Sequence, residues 1–241
     1  MFLSLLYPPA CLVCHASLMS EPSSETDARL LCASCEAELP MIDRPVCIRC
    51  GTRLEAAIDA RLACRDCRLQ PPAFTQATAL WDYEGRGHDV VRHIKYQHGW
   101  RLGQWVADQL TLQACAMFPI DLITGIVAVP THPITQWWRG YDVTPRLASA
   151  IAKKLRTPYL PNALHQRTWR SPQHRLTSKA ARWRNVRNAF RASDTVQGQT
   201  LLLVDDVMTS RATAHACATA LMHAGAVAVY VLTMARTPAH G

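Results

Sequence analysis

Thr200-Leu201-Leu202-Leu203-Val204-Asp205-Asp206-Val207-Met208-Thr209-Ser210-Arg211-Ala212-Thr213 is the stretch on which the fold turns. Its apolar opening reads as a strand buried on both faces, the pattern of a parallel sheet. Two carboxylates follow, then a short hydroxyl-rich loop, and a helix is predicted from Ala214 to His223 with Ala216, Ala220 and Leu221 on one side. A helix that starts beside a strand end turns unpaired N–H groups and the positive end of its dipole toward an anion. Thr209, Ser210 and Thr213 add donors, while Asp205 and Asp206 suit the hydroxyls of a ribose or Mg²⁺ shared with it. Asp-Asp after a strand is also ordinary solvated turn chemistry, and Thr or Ser an ordinary helix cap.

Outward from this stretch, strands and helices alternate. A strand is predicted from Ala77 to Tyr83, then a helix from about His88 to Met117, with Val90, Val91, Ile94, Leu102, Val106 and Leu110 apolar and a break near Gly99. Leu122 to Pro130 reads as a strand, a loop runs from His132 to Asp142, and a helix follows through Leu147, Ile151 and Leu155. An extended piece near Pro158 to Leu164 and a last strand, Val227 to Thr233, complete the pattern. This alternation predicts a parallel sheet with right-handed crossovers, and ligands in such sheets bind beyond the carboxyl ends of the strands.

Eight of the ten cysteines form four Cys-x-x-Cys pairs, Cys11/Cys14, Cys32/Cys35, Cys47/Cys50 and Cys64/Cys67. That spacing makes a knuckle that sets both sulfurs on one tetrahedral Zn²⁺ at about 2.3 Å, so two structural zincs are expected rather than a disulfide framework or a lone redox pair. Gly51 helps the second module turn back after Cys50. Adjacent or interleaved pairing is left open, and His15 reads as solvated rather than as a substitute ligand. Cys115 and Cys217 fall in helical patterns and read as small buried apolar residues. Pro71-Pro72 marks a boundary between a zinc-ribbon module, 1–72, and a larger unit, 73–241.

The net charge of +8 is uneven: residues 1–75 carry seven Lys/Arg against nine Asp/Glu, the remainder nineteen against nine. Eight basic residues and no acid lie between Arg167 and Arg191, so any contact with phosphates belongs to the larger unit and not to the zinc module. No apolar stretch nears the roughly 20 residues of a membrane span. Met1 to Pro9 lacks a basic start and ends in Pro-Pro, unlike a secretion signal, so a soluble cytoplasmic protein is expected.

The order strand, Asp205-Asp206, Thr209-Ser210-Arg211-Ala212-Thr213 resembles the phosphoribosyltransferase signature that binds phosphoribosyl pyrophosphate (PRPP), with Arg211 where that signature has Gly. Gly there permits φ > 0 and close approach to a phosphate. Arg211 either obstructs one oxygen or turns its guanidinium inward as a ligand, and the departure bears on turnover more than on binding. Nearly the whole chain resembles the ComF family of competence proteins. The four knuckles, Tyr83-Glu84-Gly85, Ile94-Lys95-Tyr96, Val129-Pro130, Arg139-Gly140-Tyr141-Asp142, and Arg167, Gln173, Leu176, Arg182, Asn185, Val186 and Phe190 match in order. Asp142-Val143-Thr144 and Ser171 depart from the usual residues.

The resemblance implies an α/β fold, a type I phosphoribosyltransferase-like parallel sheet with helices on both faces, preceded by a small zinc-ribbon module. It implies that Thr209, Ser210, Arg211, Ala212 and Thr213 take the 5′-phosphate, Asp205 and Asp206 the ribose hydroxyls, and Val129 to His132 the pyrophosphate with Mg²⁺, under a hood made by Arg167 to Arg191. Charge grows on the leaving group, so Lys95, Arg139 and Arg175 are the catalytic candidates. Two functions stand side by side: a PRPP-binding transferase, active or degenerate, and a competence factor whose basic run grips single-stranded DNA. Trp169, Trp183 and Phe190 interleave that run, and Trp137-Trp138 beside Arg139 extend it.

Overall fold

In the computed structural model the strand of the signature is longer than its apolar core. The structure describes residues 9–18, 29–43, 45–54, 62–97, 99–131, 142–166 and 189–238. Among these, six strands are found: β1 Gln76–Asp82, β2 Gly125–Ala128, β3 Leu164–Gln166, β4 Phe190–Ala192, β5 Thr200–Met208 and β6 Ala228–Arg236. The helices are α1 Ala33–Ala37, α2 Arg65–Leu69, α3 Gly85–Tyr96, α4 Trp100–Met117, α5 Val143–Leu155 and α6 Ala212–His223. Strands β1, β6, β5 and β2 pair in that order, all parallel. The expected parallel sheet with helices on both faces is thus the observed architecture.

Leu201, Leu202, Leu203 and Val204 are each fully buried, and alternate residues face opposite layers. Leu202 and Val204 pack with Val90, Ile94, Leu102, Leu110, Leu147 and Ile151 of α3, α4 and α5. Leu201 and Leu203 pack with Ala214, Cys217, Ala218 and Leu221 of α6. Small residues on α6 let that helix lie close to the sheet, and the period of two along β5 fills both layers. Burying each Leu contributes about 1.5–3 kcal/mol.

Several boundaries differ from expectation. β5 runs on through Asp205 and Asp206, held by pairing with β6 (Asp205 beside Thr233, Val207 beside Ala235), and the loop starts only at Thr209. α6 begins at Ala212, not Ala214. The α3–α4 break falls at Gly99 as expected, where a Cβ would collide with the His93 ring. β3 and β4 form an antiparallel pair that packs on α6; Phe190, read only as part of the basic run, is strand. Cys217 is buried, but Cys115 is exposed because the inward side of α4 there is taken by Leu110 and Ala114.

The zinc-ribbon residues divide between the layers. Cys11, Cys32 and Cys35 join the layer of α3 to α5, whereas Cys47, Cys50 and Cys67 join that of α6. The connection between them runs along the outer edge of β1: Ile42 N–H donates to Leu80 O at 3.0 Å, Asp82 N–H to Pro40 O at 3.0 Å, and Met41 bridges Trp81. Ion pairs Glu38–Arg86 at 2.9 Å and Arg53–Asp82 at 2.8 Å fasten the same junction.

Candidate functional site

Two tetrads of sulfur resolve the pairing left open by spacing. Cys11, Cys14, Cys32 and Cys35 form one group and Cys47, Cys50, Cys64 and Cys67 the other, with the sulfurs of each within 4.8 Å of one another. Adjacent pairs therefore share a site. Tetrahedral bonds of about 2.3 Å put sulfurs about 3.8 Å apart; Cys14–Cys32 are 3.6 Å and Cys50–Cys64 3.8 Å apart, far beyond a disulfide. The residues present fit zinc. His15 is exposed and outside the tetrad. It adopts φ 61 as Gly51 adopts φ 68, and each donates its N–H to the carbonyl of the first Cys of its knuckle at 2.9 Å.

At the carboxyl end of the sheet the acids meet their partners. Lys95, in the last turn of α3, places Nζ 2.5 Å from Asp206 Oδ2, both groups mostly buried. The sequence named Lys95 from a local resemblance; its contact with an acid 111 positions on is made by the fold. Asp206 N–H donates to Asp205 Oδ1 at 2.8 Å, and Val207 N–H to Asp206 Oδ1 at 2.6 Å, which aims both carboxyls. Burial pushes Asp205 up to about 8, and the like charges of Asp206 and then Asp142 add to the rise against the opposing Asp206 N–H and Lys95. The loop after β2 lies alongside: Val129 N–H donates to Val204 O at 2.9 Å, and Thr131 Oγ1 to Asp142 Oδ1 at 2.9 Å. Asp142 caps α5 by accepting from Thr144 N–H at 3.3 Å, a role that an acid fills well.

The bend carries the largest departure from expectation. Thr209 is exposed, Ser210 buried, and Arg211 takes φ 64 as the residue before Ala212. A non-Gly residue pays about 1–2 kcal/mol for that conformation. The guanidinium reaches the second sulfur tetrad: Nη1 donates to Cys67 Sγ at 2.8 Å and Nη2 lies 3.6 Å from Asp66 Oδ2. No local pattern signals this contact. A second arginine, Arg236 at the end of β6, donates to Cys50 O. His215, one turn into α6, accepts from Ala73 N–H at 3.0 Å. Arg139 and Arg175, His132, and the basic run through Arg187 with its tryptophans lie outside the described residues, as do Met1 to Pro8 and Trp137-Trp138.

Residues 2–68 match the family described as double zinc ribbon domain. The chain is 27% identical over 210 residues to the DNA utilization protein YhgH of Escherichia coli strain K12, covering 86% of this chain and 90% of that one. It is 25% identical over 212 residues to Competence protein F of Haemophilus influenzae, with the same 86% and 90% coverage. Over most of its length the chain is thus similar to proteins named for DNA utilization and competence, with a double zinc ribbon at its start. Among solved structures the chain is similar to a glutamine PRPP amidotransferase from B. subtilis, TM-score 0.38 at 21% identity, over 54% of this chain and a quarter (25%) of the larger enzyme. A Thermus thermophilus protein, TT1426, is matched at TM-score 0.35 and 14% identity, over 58% of this chain and 85% of that one. Among the described residues no helix is long and apolar enough to cross a membrane.

Proposed function

We propose that the chain binds PRPP, or a related sugar phosphate, with Mg²⁺ at the end of β5, as a phosphoribosyltransferase-type protein. The observation that carries this reading is the convergence of Asp205, Asp206 and Lys95 directly before the bend Thr209–Thr213 and the start of α6. The bend, with Ser210, Arg211 and Ala212 supplying backbone and Thr209 and Thr213 hydroxyls, receives the 5′-phosphate at a helix N-terminus. Asp205 and Asp206 hold the ribose hydroxyls. Burial raises the Asp205 carboxyl to about 8 while Asp206 is paired with Lys95, so the two acids meet the sugar in unequal surroundings. Mg²⁺ neutralises charge on the pyrophosphate when bound, and Lys95, Arg139 and Arg175 supply cations where the leaving group departs. The zinc-ribbon module, 1–72, is the architectural support of the unit 73–241.

A second reading has its own support: relatives are named for DNA utilization and competence. The basic run from Arg167 follows β3 in the chain and ends at Arg191 within β4, and its eight cations with interleaved Trp169 and Trp183 suit single-stranded DNA. Calorimetry separates the two. PRPP with Mg²⁺ is expected to give saturable heat that Asp206→Ala abolishes; no heat at millimolar PRPP, together with oligonucleotide affinity that falls steeply with salt, would establish the second reading instead.

A further inference from the structure

Arg211 stands between two sites that nothing in the chain order connects. Its backbone forms the bend between Ser210 and Ala212, and its guanidinium reaches the second sulfur tetrad. The side chain is 6% exposed, with Cys67 Sγ at 2.8 Å and the half-exposed Asp66 carboxylate at 3.6 Å as its charged or sulfur partners. A buried cation held in this way depends on its acceptors. Four thiolates around Zn²⁺ leave a net negative centre that is a strong acceptor for N–H donors, and such donors tune metal affinity. The residue that holds φ 64 in the bend is thus the one whose guanidinium is fixed on Cys67. His215 and Ala73 tie the next turn of α6 to the chain just beyond the tetrad.

We propose that Arg211 is a positioning residue that couples the second Cys₄ zinc centre to the phosphate bend, so that metal at Cys47, Cys50, Cys64 and Cys67 and sugar phosphate at 209–213 favour each other's binding. This rests on the sugar-phosphate reading of the bend and adds its regulation: the ligand site is shaped by a metal that never touches the ligand. Coupling of this kind is reciprocal.

The test uses the full chain loaded with two zinc equivalents, following transfer of zinc to a chromogenic chelator. In Arg211→Gly, which keeps φ > 0 accessible, one equivalent is expected to leave about tenfold faster than in the wild type while the other is unchanged. Hydrogen exchange over residues 45–54 assigns the faster one, and amides 209–213 are expected to lose protection when it departs. Saturating PRPP with Mg²⁺ is expected to slow that release in the wild type and not in the variant. Equal release from variant and wild type overturns the proposal, as does PRPP that binds without altering release. Absence of any PRPP binding overturns the sugar-phosphate reading and the mutual favouring with it; the ligand-free release and exchange then still decide whether Arg211 links tetrad and bend.

Discussion

Asp205 shows how one carboxyl is set apart from its neighbour. Both acids lie on β5, yet Asp206 meets Lys95 directly while Asp205 is half-buried, loses solvation beside two like charges and rises to about 8. A carboxyl whose folded value lies above the unfolded one of about 3.9 stabilises the native state below that lower value. The contribution is lost as pH climbs through about 8, so the expected slope is downward across that interval. Asp205→Asn, which keeps the neutral shape, is expected to raise the melting temperature by a few degrees near pH 9 and to change it little near pH 4. Thermal melts across the range check this; a variant with the wild-type profile would remove Asp205 as the source. Residue identity singled out both acids as a candidate site, but their unequal surroundings depend on Asp142 and Lys95, which only the folded chain brings near. The same holds for Arg211, whose sulfur partner is 144 positions away.

Among the elements, the knuckles were the most readable, because Cys-x-x-Cys spacing and a metal's geometry leave little freedom. The turn that closes the second knuckle shows why. Gly51 has φ 68, and a Cβ there would lie 2.7 Å from Ala77 O, at the start of β1. Gly51→Ala is expected to cost at least about 2 kcal/mol, combining the left-handed penalty with a backbone clash. His15→Gly, at the matching turn with φ 61, is expected to be neutral or stabilising. Denaturant midpoints of the two variants should move apart, and equal effects would defeat this account. Strand ends were harder to read: carboxylates rarely favour strand, so β5 was expected to stop before Asp205, whereas pairing with Thr233 and Ala235 carries it on. β3 and β4, three residues each, are too short to show a period and exist because Leu164 and Phe190 pack on the layer of α6.

At the scale of the molecule, cysteines of both tetrads belong to the same packed layers as the sheet. Metal removal should therefore reach beyond the ribbons. A strong chelator is expected to abolish a single cooperative melt and to lower the temperature at which the sheet itself unfolds, since folding and metal binding are linked. Calorimetric melts before and after chelation check this, and an unchanged sheet transition would show the ribbons to be dispensable. The alternation of apolar runs made the parallel sheet legible; the placement of one ribbon on each face was not, because it is set by the Pro40–Ile42 segment crossing an edge rather than by any local pattern.

That crossing segment has a further meaning for solubility. β1 and β2 are the two margins of the sheet; the first is sealed by Leu80 and Asp82 pairing with Ile42 and Pro40, the second by Tyr159 bridging Ile126. An open margin is a template on which foreign strands assemble. By holding the segment in place, the ribbons act as a hem, and a chain stripped of its metals would begin to fray along β1 and stick to its own kind.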